Sequence, residues 1–247
     1  MSRASPQRLR FATWNIHSGI GGDRHFDMGR IVEVLDEMDA DVVGLQEVGW
    51  HRRSHHRLDQ FAYLREHTGY RVIEGLVRDP LRAQFGNALL TRLPAGKTRW
   101  IDLKVRGHVP RAALVAELQA ETTPLQVAVL HLGLTVWERE RQTQRLMAAM
   151  REEEKPAERG PPAVLLGDFN MLRRRTRASE ILAGRFPACV RLPTYPARGP
   201  RLSLDRIYLS AEWDVTDARV WDSDLALHAS DHLPLVAEAL CGPDRSR

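Results

Sequence analysis

The sequence predicts an α/β fold with two mixed β-sheets packed face to face, or one mixed sheet, between flanking helices; its 247 residues suit a four-layer α/β sandwich. Two observations support this. Short apolar segments punctuated by Gly and Pro recur along the chain, as is typical of buried strands. Amphipathic helical segments separate some of these strands, whereas other strands follow one another directly, so parallel and antiparallel pairs are both expected.

The individual elements follow from hydrophobic periodicity. Residues 27–39 place Ile31, Val34, Leu35 and Met38 on one stripe, which predicts an amphipathic helix. Two further helices are predicted at residues 58–67 and at about 136–154. The predicted strands are 9–15, 41–47, 70–77, 86–92, 97–104, 112–119, 125–131, 163–169, 204–210, 213–221 and 233–240.

Composition indicates a globular protein of the cytoplasm. The hydrophobic fraction is 43%, and there is no apolar run of the roughly 18 residues that a membrane helix needs. The first residues lack the apolar segment of a secretion signal, and two cysteines, Cys189 and Cys241, are too few for a disulfide framework. We expect one domain over residues 1–247, with flexible ends at 1–8 and 241–247, and a monomer without a transmembrane segment.

Basic residues are concentrated in two places. The net charge is only +4, but residues 51–57 (HRRSHHR) and 173–177 (RRRTR) are local clusters. Each directly follows a predicted strand. Taken alone, such a cluster is either a solvated surface or a binding site for an anion.

Polar residues end or border four of the predicted strands. Asn15, Glu47 and His131 each close an apolar run, and Asp168 and Asn170 close another. Sites of α/β proteins lie at strand ends. If the chain stays extended, Asp168 and Asn170 share a face, where a carboxylate can deprotonate a water and an amide can hold it.

Glu47 and three further residues suggest phosphate chemistry. Glu47 is a hard oxygen ligand for Mg²⁺ or Mn²⁺. Asp231 and His232 precede the last predicted strand, and Asp205 is placed to brace an imidazole. As imidazolium, His232 would neutralise charge that develops on phosphate oxygens.

Seven segments in order resemble the endonuclease/exonuclease/phosphatase superfamily, which includes pancreatic-type deoxyribonucleases, abasic-site endonucleases, neutral sphingomyelinases and inositol-polyphosphate 5-phosphatases. The resemblance spans residues 9–240 and implies the four-layer sandwich. The segments are TWNIH (13–17), LQEV (45–48), GNALLTR (86–92), HLGL (131–134), GDFN (167–170), LDRIYLS (204–210) and SDHLPL (230–235).

The resemblance also implies roles for residues at the metal and at the water. Glu47 would ligate the divalent cation, with Asn15 beside the metal and the phosphate. Asp231 would lie close enough to join metal binding. Asp168 would orient or activate the attacking water, and Asn170 would hold that water or a phosphate oxygen.

Other roles concern the phosphate. His232, paired with Asp205, would contact the scissile phosphate. His131 matches a histidine that some branches place at the phosphate and leaving group, where abasic-site endonucleases have a tyrosine. The residues expected to bind substrate are Arg111, Asn87, Arg173 and Arg174.

The sequence thus predicts a divalent-metal-dependent phosphoesterase that hydrolyses a phosphodiester, in nucleic acid or a phospholipid headgroup, by in-line attack of an activated water. Mg²⁺ or Mn²⁺ is the expected cofactor, with Ca²⁺ as an alternative second, structural ion. Two alternatives are open: a phosphomonoesterase of inositol-phosphate or nucleotide type, and a catalytically silent module that binds anions.

Overall fold

A computed structural model describes most of the chain. The described residues are 7–51, 58–77, 82–121, 123–151 and 160–242. Several predicted features lie wholly or partly outside these ranges: the flexible ends at 1–6 and 243–247, the basic cluster at 52–57, and the last predicted helical turn at 152–154.

The described strands form two six-stranded sheets. The strands are β1 (Gln7–Asn15), β2 (Val42–His51), β3 (Arg71–Leu76), β4 (Arg82–Thr91), β5 (Ala95–Asp102), β6 (Ala112–Ala120), β7 (Thr123–His131), β8 (Ala163–Asp168), β9 (Ala188–Val190), β10 (Asp205–Leu209), β11 (Trp213–Val220) and β12 (Leu235–Cys241). The first sheet has the order β11-β12-β1-β2-β4-β3, and the second has the order β5-β6-β7-β8-β10-β9. The pairs β1–β2 and β7–β8 are parallel and the other pairs are antiparallel, so both sheets are mixed, as predicted.

Helices cover the outer faces of the sheets. They are α1 (Met28–Met38), α2 (Gln60–His67), α3 (Val136–Arg151), α4 (Arg177–Ala183) and α5 (Ala226–Ala229). The periodicity did not predict α4, α5 or β9, because each has at most seven residues. Helix α4 is stabilised by a capping box at its N-terminus. The Thr176 hydroxyl accepts from the Ser179 backbone N–H, and the Ser179 hydroxyl accepts from the Thr176 backbone N–H. Among the described residues, no helix has both the length and the apolar character needed to cross a membrane.

Three apolar cores separate four layers, which confirms the predicted sandwich. The first sheet packs against α1, α2 and α5 through residues such as Trp14 and Leu35. The two sheets pack on each other through residues such as Phe11 and Leu166. The second sheet packs against α3 and α4, and Leu165 lies in this third core. Leu165 and Leu166 enter different cores because successive strand side chains point to opposite faces.

Gly44 of β2 lies where the two sheets pack closely against each other. A methyl group there would lie 2.7 Å from the Leu166 Cβ and 3.1 Å from Val129 Cγ1. We therefore expect Gly44→Ala to lower the free energy of unfolding by about 1–3 kcal/mol, measured by urea denaturation. Gly69→Ala is the control, because its methyl group would meet nothing within 4 Å. Equal loss in the two variants would contradict the close approach.

Candidate active site

Strand ends from the second sheet bring three predicted residues side by side. Parallel pairing of β7 with β8 sets His131 opposite Asp168. Antiparallel pairing of β8 with β10 sets Asp205 opposite the same Asp168. The register therefore places the three on neighbouring strands at one edge of the sheet.

The first sheet contributes Asn15 and Glu47 to the same place. The Asn15 Nδ2 atom donates to Asp168 Oδ2 at 3.2 Å and lies 3.4 Å from Glu47 Oε1. His131 lies between the two acids, with Nε2 3.5 Å from Asp168 Oδ2 and Nδ1 3.8 Å from Glu47 Oε1. We call Asn15, Glu47, His131 and Asp168 the strand-end cluster. The Asn15–Asp168 hydrogen bond joins residues 153 positions apart and connects the two sheets.

Glu47 was predicted to end its strand, but β2 continues to His51, and Glu47 reaches the cluster because β2 is irregular there. The β2–β4 register shifts between Leu45 and Val48, and Glu47 has a left-handed backbone with φ 57°. A bulge of this kind re-aims a side chain and is frequent beside active sites. The left-handed conformation of a non-glycine residue costs on the order of 1 kcal/mol, which the surrounding sheet must offset.

Asn170 approaches Asp168 by a different route from the one its sequence position suggested. Strand β8 ends at Asp168, so the predicted alternation of an extended chain does not reach Asn170, whose φ is 51°. The Asn170 backbone N–H instead donates to Asp168 Oδ1 at 2.9 Å, and its side-chain amide donates to the Leu132 carbonyl at 2.9 Å. The turn therefore holds the Asp168 carboxylate against the Asn170 backbone N–H. Asparagine tolerates the left-handed backbone that this turn needs.

Asp205 and His232 form a buried pair, as predicted. The His232 Nδ1 atom lies 2.8 Å from Asp205 Oδ2, which also accepts a 2.5 Å hydrogen bond from the Thr194 hydroxyl. The His232 carbonyl accepts from Trp14 Nε1 at 2.9 Å, and the Tyr195 ring packs 4.7 Å from the imidazole. Thr194 was not among the site residues predicted from the sequence, because no strand-end pattern or charge distinguishes it.

Burial and neighbouring charges shift the pKa values of two of these groups. Burial raises the pKa of Asp168 to about 6, and the Asp205 charge adds to this effect, while His232 opposes it. For His232, burial lowers the pKa, but the charge and hydrogen bond of Asp205, followed by Asp168, raise it to about 10. His232 is therefore an imidazolium at neutral pH.

Asp231 lies at the rim, next to His17. The Asp231 Oδ1 atom is 3.7 Å from His17 Nδ1, and the His17 backbone N–H donates to Asn15 Oδ1 at 3.0 Å. Both side chains are partly exposed. The neighbouring Ser230 hydroxyl donates to the Asn15 carbonyl at 2.7 Å. His17 therefore connects Asp231 to the strand-end cluster. It was not among the site residues predicted from the sequence.

The donor set fits a hard divalent cation. Ligand atoms of Asp168, Asp205 and His232 lie within 4.8 Å of one another, but His232 Nδ1 and Asp205 Oδ2 already bind each other. The Glu47 carboxylate is about one-quarter exposed, and its Oε1 lies 3.4 Å from Asn15 Nδ2 and 3.8 Å from His131 Nδ1. A carboxylate that faces solvent is what Mg²⁺ or Mn²⁺ uses, because these ions keep several waters.

The residues predicted to bind substrate occupy different positions. Buried Asn87 donates from its amide to the Ala112 carbonyl at 3.1 Å and so connects the two sheets. Arg111 immediately precedes Ala112 at the end of β6 that pairs with the His131 end of β7. Arg173 and Arg174 are exposed in the loop after β8. Their contacts with substrate stay predictions.

Comparison with known proteins gives matches over most of the chain. The model of the endonuclease/exonuclease/phosphatase family matches residues 12–232. The uncharacterized protein YbhP of Escherichia coli K12 is 31% identical over 261 residues, which cover 93% of this chain and 95% of YbhP. Two solved structures share the fold. A mannosyl-6-phosphatase of Bacteroides thetaiotaomicron is 18% identical with a TM-score of 0.74, covering 94% of this chain and 99% of its own. TDP2 of D. rerio, complexed with a single-strand DNA product, is 19% identical with a TM-score of 0.71, also over 94% and 99%.

Proposed function

Because the chain belongs to the endonuclease/exonuclease/phosphatase family, whose members hydrolyse phosphoester bonds, we propose that it is a divalent-metal-dependent phosphodiesterase. Its substrate would be a nucleic acid or a phospholipid headgroup, cleaved by in-line attack of an activated water. The observation that carries this proposal is the convergence of the strand-end cluster on a buried Asp–His pair, joined across the two sheets by the Asn15–Asp168 hydrogen bond.

Asp168 is the proposed base for the attacking water. Its Oδ1 accepts from the Asn170 backbone and its Oδ2 from Asn15, so both oxygens are held in fixed directions. A carboxylate that is oriented in this way can accept a proton from a water at hydrogen-bond distance. Asn170 would hold that water or the phosphate oxygen beside it.

His232 and His131 are the proposed contacts to the phosphate. His232 is positively charged at neutral pH and is held through Nδ1 by Asp205, which leaves Nε2 to donate to a phosphate oxygen. Charge placed in advance beside developing negative charge lowers the barrier. His131 would act on the leaving-group side.

Glu47, Asn15 and Asp231 are the residues that would hold the metal. Mg²⁺ or Mn²⁺, with Ca²⁺ as an alternative second ion, supplies positive charge that polarises a phosphoryl oxygen. Arg111, Asn87, Arg173 and Arg174 are proposed to bind the substrate. One domain over residues 1–247, a monomeric state and a place in the cytoplasm belong to the same proposal.

A panel of substrates and metals tests this function. Bis-p-nitrophenyl phosphate, plasmid DNA, single-stranded RNA, sphingomyelin, inositol phosphates and p-nitrophenyl phosphate are each incubated with Mg²⁺, Mn²⁺ or EDTA. We expect hydrolysis of a diester that exceeds hydrolysis of every monoester and that EDTA abolishes. Preference for a monoester would replace the diesterase with the monoesterase, and no hydrolysis under any metal would overturn the proposal.

Glu47→Gln tests the metal site within the same panel. The amide keeps the size of the side chain but removes its charge, so the Mg²⁺ concentration at half-maximal activity should rise at least about tenfold. Glu66→Gln, in an exposed glutamate of α2, is the matched control. An unchanged Mg²⁺ requirement in Glu47→Gln would remove Glu47 from the metal site.

A further inference from the structure

A second concave surface lies on the other face of the strand that carries Asp205. This groove, which we call the arginine groove, has a volume of about 1060 Å³ and opens between α4, β9 and β10. Its lining includes Arg174, Arg175, Arg191, Ser203, Arg206 and Tyr208. The volume reaches the upper end of the roughly 300–1,000 Å³ of ligand sites, so it has room for more than one chemical group.

The lining of the arginine groove is strongly basic. Its four arginines face one acidic lining residue, Glu180, whose Oε1 lies 3.6 Å from Arg175 Nη2. Glu180 also pairs with Arg177 at 3.6 Å. One carboxylate shared between two guanidinium groups leaves the groove with an excess of positive charge.

The buried guanidinium group of Arg206 lowers the stability of the folded protein unless an anion binds in the groove. The side chain is buried, 1% exposed, yet no carboxylate among the described residues forms an ion pair with it. Its Nη2 donates to the Met171 and Arg173 carbonyls at 2.7 and 3.0 Å, and its Nη1 to the Tyr208 hydroxyl at 3.2 Å, while its Nε has no partner in the described part of the chain. Burying an unopposed charge is unfavourable, so a bound anion would stabilise this arrangement.

Arg191 also has an unsatisfied hydrogen-bond donor. It lines the groove half-buried, and its Nη1 has no hydrogen-bond partner in the ranges that the structure describes. Two guanidinium groups with unsatisfied donors in one groove fit the oxygens of a phosphate, which accept several N–H bonds at once.

The arginine groove adjoins the candidate active site. Asp205 and Arg206 are consecutive on β10, so their side chains point to opposite faces: Asp205 binds His232, and Arg206 enters the groove. Arg206 also holds the carbonyls of the loop that follows Asp168 and Asn170. A polyanionic strand with one phosphate at His232 can therefore continue along this loop to the groove.

We propose that the arginine groove binds a second phosphate of an extended polyphosphodiester, a nucleic acid strand, while the scissile phosphate lies at the strand-end cluster. The assignment rests on the proposed function and narrows its substrate class. A nucleic acid strand is favoured over a lipid. Arginine and serine side chains line the groove and can bind phosphates, whereas its aromatic members Phe186 and Tyr208 are buried and offer little apolar surface to a lipid chain.

Binding of single-stranded oligothymidylates tests the proposal without turnover. Fluorescence anisotropy in EDTA compares a ten-nucleotide strand with a dinucleotide, using the full chain and the Arg174→Gln/Arg191→Gln double variant. We expect the Kd of the ten-nucleotide strand to rise about 10- to 100-fold in the double variant. The slope of log K against log salt should fall in magnitude by about 0.7, because the two arginines contact one phosphate. Both side chains are at least partly exposed, so the melting temperature should not change.

Arg71→Gln/Arg219→Gln is the matched control, because it removes the same charge from exposed positions on the first sheet. Equal weakening in the two double variants would overturn the proposal, as would a dinucleotide that binds as tightly as the ten-nucleotide strand. Loss of binding to phosphatidylglycerol vesicles alone, with oligothymidylate binding intact, would assign the groove to a lipid and overturn it too. The proposed function is tested separately, by hydrolysis of bis-p-nitrophenyl phosphate, so absence of hydrolysis would overturn that function without deciding whether the groove binds a strand.

Discussion

Asp168→Asn is expected to hydrolyse bis-p-nitrophenyl phosphate about 10³- to 10⁴-fold more slowly than the unmodified chain at saturating Mg²⁺. Asparagine matches aspartate in shape but cannot accept the proton of the attacking water. Initial rates measured across substrate concentrations separate kcat from KM, and the loss should fall on kcat.

The same substitution should leave the fold intact. Burial raises the pKa of Asp168 from 3.8 to about 6, so ionisation of this carboxyl costs stability progressively as the pH rises from 3.8 to about 6, and the cost is constant above that pH. The melting temperature of Asp168→Asn, measured relative to that of the unmodified chain, should therefore rise between pH 4 and pH 7.5. Asp222→Asn, at an exposed position, is the control for both measurements.

This variant also separates the enzyme from the silent anion-binding module. An enzyme loses turnover while it still binds phosphodiesters, whereas a binding module has no metal-stimulated hydrolysis to lose. Turnover of Asp168→Asn at the unmodified rate would show that another group activates the water.

Asp205→Asn is expected to lower the pKa of His232 well below its value of about 10. Burial by itself lowers the pKa of this imidazole, and the charge and hydrogen bond of Asp205 are the largest of the effects that raise it to about 10. Without that charge, His232 should be neutral at pH 8. Titration of the His232 Cε1–H signal by NMR in metal-free protein measures this directly.

Two readouts accompany that titration. A histidine whose folded pKa is raised from 6.5 to about 10 contributes stability in full below pH 6.5 and loses it as the pH rises through 10, so the stability advantage over Asp205→Asn should shrink across this range. Activity at pH 8 should fall as well, because the neutral ring no longer neutralises phosphate charge. Asp222→Asn should leave the titration unchanged, and an unchanged titration in Asp205→Asn would contradict the pairing.

Much of the fold followed from local patterns. The stripe of Ile31, Val34, Leu35 and Met38 predicted α1, and all four side chains are buried as that pattern requires. The predicted strands correspond to β1–β8 and β10–β12 with ends shifted by a few residues. Periodicity suffices for such elements because burial of one face repeats every two or 3.6 residues.

The sequence by itself determined which polar groups border the apolar segments, since Asn15, Glu47, His131 and Asp168 each close an apolar run. Tertiary structure alone decided how they meet. The bulge at Glu47, the turn at Asn170 and the Thr194 hydroxyl on Asp205 depend on contacts with residues outside each local segment. The burial of Arg206 behind Asp205 has the same origin. No local pattern encodes these features, because each depends on which strands of two sheets become neighbours, and that is settled by packing over the whole chain.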